Sequence, residues 1–476
     1  MLGSANRSLL LAGLALYAVF TAAELTGFGP IPLGEFSVAG SLALSFGPVA
    51  LYLLLKHPLL FPFGLYLFTI PIDAILLNSS GATGARVVAI AAAGVLALHI
   101  LARRELRHPG VAWFGWLALV TWAGLSMIWT INGAGTALLF GTVLQLFLLT
   151  TILAVYPASR ADLTNMLAVV VAAGIFAGCY GLFGYFTGRV TEGGAVSRLS
   201  LITDSGLSVD PNAFATSFVL PIALALAALS SSKNLAIRIL AGLSIVLMMS
   251  GVLLSGSRGG LISTLLVFAY YLIRGRQRVV TIVLAAVGLG LSFVFPAVWT
   301  RFATDDGAEG SGTGRTFIWA TGLRTFKEHF LAGTGFGTYG DVYDRNFFGV
   351  YQQVFQGWGR PGHSLIVSSL VEVGVVGLLI VLGAWFLTFR ELRNVKRQSV
   401  YYPMRVALEA SLIALFYESL TIDTLYIKFY WLAFGLVLMV SAAARKEAFE
   451  QAETDQDAPV PAGADLGLGA RIHGYL

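Results

Sequence analysis

Apolar stretches as long as a lipid bilayer is thick, or nearly so, recur along this chain and leave little room for any architecture except a bundle of membrane-crossing helices. About fourteen occur, at 8–23, 36–55, 59–77, 86–102, 112–128, 136–156, 163–186, 213–230, 236–255, 259–273, 279–296, 363–388, 403–422 and 426–443. An α-helix needs about 20 apolar residues to cross the hydrocarbon core. The pattern therefore predicts an all-α, polytopic transmembrane protein of about 12–14 spans, with 8–23 and 259–273 on the short side. Composition agrees, since the 476 residues are 57% hydrophobic and 12% charged, well below the roughly 25% charge of soluble domains. The 54 glycines suit close helix packing in a bilayer, although many belong to loops. The lone Cys179 permits no intramolecular disulfide and no thiolate cluster, and its apolar surroundings predict an inert, packed thiol.

The charges give the orientation. A pI near 9.2 would suit a nucleic-acid binder, but most basic residues fall in short turns between apolar segments, so no nucleic-acid partner is expected. Basic turns occur at Lys56, Arg103 to Arg107, Arg160, Lys233 to Arg238, Arg274 to Arg278 and Arg390 to Arg397. All fall on one side when fourteen spans alternate, which the positive-inside rule makes cytoplasmic. Arg7, Arg445 and Lys446 agree and put both termini inside. The first apolar run lacks a clear small-x-small cleavage site and is expected to remain as a helix. The opposite face receives the loops 187–212 and 297–362, the second long enough to carry short interfacial helices. Residues 1–443 form the transmembrane domain, and 444–476, acidic and rich in Ala, Pro and Gly, read as a disordered cytoplasmic tail.

Charges that violate this scheme are the candidates for function. In "LSGSRGGLIS", Arg258 occupies an outward turn among glycines and serines, where its planar fork can grip two phosphate oxygens; the plainer reading is an arginine snorkelling to headgroups. Arg198 lies in the 187–212 loop, ahead of Asp210-Pro211-Asn212, whose simplest role is to cap the next helix. Arg315 opens "GRTFIWATGLRTF", where Phe317, Ile318, Trp319, Leu323 and Phe326 are spaced for one face of a helix lying on the membrane. The GxGxxG at Gly335, Gly337 and Gly340 follows no strand pattern, so it is not read as a dinucleotide site. The histidines lack metal-binding spacing, and neither metal nor cofactor is expected. His363 stands where the longest outer loop enters an apolar run that contains Glu372, and an ionisable residue inside a span is a functional candidate. Asp73 is another, while Arg405 and Glu409 have the spacing of a self-neutralising pair. A histidine takes a proton from a hydroxyl near neutral pH, and arginines stabilise a departing phosphate.

The segments "LSMIWT", "VDPNAFATSFVLPIAL", "LLSGSRGGLIS", "GTGRTFIWATGLRTFKEHFLAGTGFGTYG" and "GHSLIVSSLVEVGVVGLL", in that order and spacing, resemble the O-antigen ligase and O-antigen polymerase superfamily over about residues 60–443. The resemblance implies a bacterial inner-membrane glycosyltransferase that uses an undecaprenyl-pyrophosphate-linked glycan at the periplasmic face, by an inverting displacement. It implies lipid A-core as acceptor for a ligase, or a lipid-linked glycan for a polymerase. His363 then corresponds to the catalytic histidine, Arg258 to the arginine of the Ser-Arg-Gly turn, and Arg198 and Arg315 to the loop arginines. Asp210, Asn212, Ser364 and Glu372 join the substrate-binding set, Ser364 replacing the usual asparagine. The alternative is a transporter or flippase for a lipid-linked or anionic solute, which also uses many helices and intramembrane charges.

Overall fold

The computed structural model describes residues 47–71, 84–188, 191–193, 196–199, 210–275, 277–303, 315–350 and 358–456. The expectations for 8–23 and for Asp73 lie outside them. In chain order the helices are α1 (Gly47–Lys56), α2 (Phe63–Thr69), α3 (Gly84–Arg103), α4 (Val111–Leu125), α5 (Gly133–Val155) and α6 (Arg160–Phe186). A small antiparallel hairpin, β1 (Thr191–Gly193) and β2 (Val196–Arg198), precedes α7 (Pro211–Thr216), α8 (Val219–Ser231), α9 (Leu235–Leu254), α10 (Arg258–Arg274), α11 (Arg278–Val294) and α12 (Ala297–Ala303). Then come α13 (Arg315–Leu323), α14 (Tyr339–Val350), α15 (Leu365–Glu372), α16 (Gly374–Glu391), α17 (Tyr402–Ser419) and α18 (Lys428–Gln456). Polar residues at the turns start these helices: Asn132 caps α5 by accepting from the Gly135 N–H at 3.0 Å, and Ser159 and Asp162 form a reciprocal box at the start of α6.

Seven helical segments among the described residues are long and apolar enough to span a membrane: α3, α4 extended to Ile128, α5, α6, the consecutive pair α7 and α8, α9, and α16 extended to Asn394. α10 and α11 have 17 residues each. The stretch 363–388, expected as one span, is broken in two at Val373–Gly374. Gly374 adopts φ +69°, where a side chain is strained, and a Cβ there would lie 2.2 Å from the Leu331 carbonyl oxygen. Glu372 therefore lies outside the span rather than within it. Two further expectations differ: α18 continues past 443 to Gln456, and Cys179 is exposed on the outer face of α6 instead of packed.

The core centres on α4, α16 and α18, with large rings meeting at several angles. Trp116 stacks on Phe434 with centroids 4.1 Å apart, Trp385 meets Phe434 edge-on at 5.0 Å, and the Trp116 indole donates to the Thr388 hydroxyl at 3.0 Å. α4 and α16 approach so closely that a Cβ at Gly115 would lie 3.0 Å from the Ala384 Cα.

The two ends of the bundle differ in charge. At one end Arg107 donates to the Ala158 carbonyl at 2.6 Å, and Glu391 pairs with Arg445 while accepting from the Val111 N–H at 3.0 Å. This gathers the basic turns near 103–107, 160, 390–397 and 445. At the other end the Ile131 N–H donates to Thr334 at 2.9 Å and the Trp122 indole to Val373 at 3.0 Å. There the described part of 297–362 folds as a helical cap with its own small core of Ile318, Tyr339, Val342, Tyr343, Phe347 and Val371. α13 turns its apolar face into that core: Ile318 is buried, whereas Leu323 is exposed.

Candidate active site

His363 occupies the turn that leads into α15, with φ +48°, a left-handed conformation uncommon for a residue with a side chain. Asp423, 60 residues on in the connection between α17 and α18, holds it there. Its carboxylate accepts from the backbone N–H groups of His363 at 2.9 Å and Ser364 at 3.4 Å, and from the Ser368 hydroxyl. On the preceding residue, the Trp319 indole donates to the Gly362 carbonyl at 2.7 Å. Ser364 caps α15, accepting from the Val367 N–H at 3.5 Å. The backbone around His363 is thus bonded from both sides, while its ring nitrogens make no hydrogen bond among the described residues.

Burial pushes the His363 imidazole below its ordinary pKa of 6.5. The Asp423 carboxylate opposes that shift, Arg315 adds to it, Asp210 opposes it and Arg360 adds to it. The neutral ring that results is the form that accepts a proton.

Arg315 opens α13 and acts electrostatically on His363 and on Glu418, a buried acid near the end of α17. Glu418 accepts from the Ser263 hydroxyl at 2.7 Å, and a Cβ on Gly259 would lie 2.9 Å from both its carboxylate oxygens. Arg258, immediately before that glycine, starts α10 behind the Ser257 cap and so stands on the turn that faces Glu418. Arg198 ends β2; the next residue, Leu199, donates its N–H to the Leu254 carbonyl at 3.1 Å, which brings this strand to the end of α9 beside the same turn. The Arg198 side chain lies outside the described part of the structure. Asp210 caps α7 by accepting from the Asn212 N–H at 2.7 Å, and its charge also acts on His363. The Asn212 carbonyl accepts from the Thr216 hydroxyl at 2.7 Å.

Glu372, expected as a substrate-binding group, is 5% exposed. Its carboxylate accepts from the N–H groups of Gly337 at 2.9 Å and Tyr339 at 3.4 Å and from the Tyr426 hydroxyl at 2.9 Å. The GxGxxG run is the loop wrapped around it, and Gly335, at φ +113°, packs so tightly that a Cβ would lie 2.2 Å from the Thr130 hydroxyl oxygen. Arg405 and Glu409 pair at 2.8 Å, as their spacing suggests.

Three residues at this site escaped the reading of the sequence. Asp423 and Glu418 sit in "ESLTIDTLYIK", acids in an otherwise apolar run, and that is the signal by which both were detectable. Arg360, three residues before His363, leaves its buried Nε without a hydrogen-bond partner among the described residues. Within those residues, no three His, Cys, Asp or Glu side chains are grouped to hold a metal ion. The arrangement brings a neutral imidazole, cations on at least two sides and a fixed turn to one end of a membrane bundle.

Residues 243–382 match the sequence model of a family described as O-antigen ligase, Wzy_C. No curated protein matches the chain. One chain from a solved peptidoglycan synthase complex that coordinates polymerization and crosslinking is 18% identical, over 70% of this chain and 96% of that one, with a TM-score of 0.39. A likeness that low carries no argument. The matched stretch contains Arg258, Arg315, Arg360, His363 and Glu372.

Proposed function

We propose that this polytopic membrane protein, whose residues 243–382 match the O-antigen ligase family model, transfers a glycan from an undecaprenyl-pyrophosphate-linked donor to a hydroxyl acceptor at the periplasmic face of the bacterial inner membrane, without a metal. The acceptor is lipid A-core in a ligase reaction and a lipid-linked glycan in a polymerase reaction. The observation that carries the reading is the His363 turn: an imidazole kept neutral by burial, free of hydrogen bonds to described residues, held by Asp423 and faced by Arg315 and Arg360. The segregation of basic turns to the far end of the bundle supports a periplasmic site and cytoplasmic termini.

In this mechanism the acceptor hydroxyl gives its proton to the His363 imidazole as its oxygen bonds to the anomeric carbon from the side opposite the diphosphate. The bond between that carbon and the phosphate oxygen breaks, and the departing diphosphate takes the electron pair. Arg258, Arg315, Arg198 and Arg360 supply the positive charge that stabilises it, as cationic clamps do for transferring phosphoryl oxygens. In this reading Asp210, Asn212 and Ser364 help to bind the substrates; Asp210 acts electrostatically on His363 and Ser364 is its neighbour in the chain.

Purified His363→Ala, reconstituted with a lipid-linked glycan and its acceptor, tests this. Loss of a general base lowers turnover by roughly 10²–10⁴-fold with donor binding retained. Turnover within a few fold of wild type would remove His363 from the chemistry. Deletion of the gene separates the two acceptors: accumulation of polymerised lipid-linked glycan marks a ligase, and accumulation of single lipid-linked repeats marks a polymerase.

A further inference from the structure

A cavity of about 390 Å³ lies between α2, α3, α5 and the start of α18, and nothing above assigns it a role. Its volume lies within the roughly 300–1,000 Å³ of ligand pockets. Its walls combine Arg86, Lys428, Gln145 and Tyr426 with hydrocarbon from Ile90 and Leu149. Two of the polar members lie deep, whereas Arg86 stands in the first turn of α3. Gln145 is twelve residues into α5, about 18 Å below its first residue. Lys428 belongs at a similar depth, because Trp431, one turn further along α18, packs on Phe147 and accepts from the Thr150 hydroxyl at 3.4 Å. Groups of this kind at membrane depth are costly unless they meet water, each other or a ligand.

The cavity also adjoins the His363 site through one connection. Asp423 holds the His363 turn, and three residues later Tyr426 lines the cavity while donating to Glu372 at 2.9 Å. The arginines assigned to the donor stand on the other side of that connection, around α10 and α13.

We propose that this cavity is a second lipid-substrate site, which holds the phosphate of a single-chain polyprenyl phosphate lipid against Arg86 and Lys428 and its first hydrocarbon units against Ile90 and Leu149. The inference rests on the glycosyl-transfer reading and deepens it: the acceptor is itself lipid-linked and approaches His363 from the α3/α5 side, while the donor lies against Arg258 and Arg315. Both cations also engage neighbouring residues. The proposal does not need them unpaired, since a guanidinium has five N–H donors and an ammonium three. One chain suits the cavity, whose apolar wall is a strip along two helices rather than a broad face.

Native mass spectrometry of the full chain in detergent, with undecaprenyl phosphate as probe, counts the sites. Wild type is expected to bind two molecules. The double variant Arg86→Gln/Lys428→Gln, and separately Ala93→Phe, which narrows the cavity without changing charge, should each bind one, the second weakened by about tenfold or more. Arg258→Ala should also bind one. Groove variants that still bind two overturn the inference, as does an equal loss of phosphatidylglycerol, which would make the cavity a bulk-lipid site. If wild type binds one molecule, lost in Arg258→Ala and kept in the groove variants, the second site falls and the transferase reading stands. If wild type binds none, both fall.

Discussion

Replacing Asp423 by Asn tests whether the His363 turn is held in its left-handed conformation for catalysis. That conformation costs a residue with a Cβ roughly 1–2 kcal/mol. Opposing this are bonds from one carboxylate to the His363 and Ser364 N–H groups, at 2.9 and 3.4 Å, and to the Ser368 hydroxyl. Hydrogen bonds to a charged group contribute about 1.5–3 kcal/mol each. Asparagine keeps one acceptor oxygen, loses the charge and turns an N–H₂ toward a donor. A loss of about 2–3 kcal/mol follows, which exceeds the cost of the left-handed residue, so the turn relaxes. At 1.36 kcal/mol per tenfold, turnover should fall by about 30–150-fold. Ser368→Ala, which removes one neutral donor, should cost only about 3–10-fold. The assay is single-turnover glycan transfer by folded protein in liposomes, alongside donor binding, which should change little. Turnover of Asp423→Asn within about threefold of wild type would refute the claim that this carboxylate sets the geometry of the site.

The pH profile is fixed in sign by the His363 environment. Since burial lowers its pKa and the neutral ring is the active form, kcat/KM should be flat at neutral and alkaline pH and fall on acidification, with the acid limb below that of an ordinary histidine. Removing a cation in Arg360→Gln eases protonation, so the acid limb should move to higher pH; a limb unmoved in that variant would contradict the electrostatic account. Arg258→Lys keeps charge but loses the planar fork and should fold yet lose most transfer, measured against wild type at equal expression; normal activity would leave Arg258 a membrane-surface charge. Glu372→Gln should lower stability by about 1–3 kcal/mol, read as a lower thermal midpoint in detergent; an unchanged midpoint would mean that the three donors to this carboxylate find equivalent partners. With Cys179 replaced, cysteine at exposed Glu328 should react with a membrane-impermeant maleimide in cells with permeabilised outer membranes, and cysteine at exposed Lys396 only after inner-membrane lysis; the reverse pattern would invert the topology.

Hydropathy made the helical bundle legible because lipid imposes long apolar runs whatever the tertiary packing. The same signal misread 363–388, since hydropathy does not register a change of backbone direction; the φ of Gly374 does. Arg258, Arg315 and His363 stood out because they are charged or titratable residues against the grain of the topology. Asp423 carries the same local signal, an acid in an apolar run, but what it does is a contact with backbone N–H groups 60 residues away, and no local pattern encodes that. Glu372 was visible as an anomaly, but its three donors come from a loop and a tyrosine that only folding brings to it. Trp319 was expected on a lipid-facing surface, and its bond to Gly362 follows from the cap core that buries its neighbour Ile318.

The break at Val373–Gly374 separates the helix that carries His363 from the span below. Both sides of the break are tied to the cap: Thr334 N–H donates to Val371 at 2.9 Å and Gly335 N–H to Glu372 at 2.8 Å on the α15 side, and Val375 N–H donates to Phe330 at 3.0 Å at the start of α16. A transmembrane helix answers a change in bilayer thickness by tilting, and a histidine at the end of one rigid rod would swing with it. Here the start of α16 is clamped to the cap at a tightly packed glycine, so a change of tilt has to carry the cap with it, and the His363 turn and Asp423 move as one body rather than past each other.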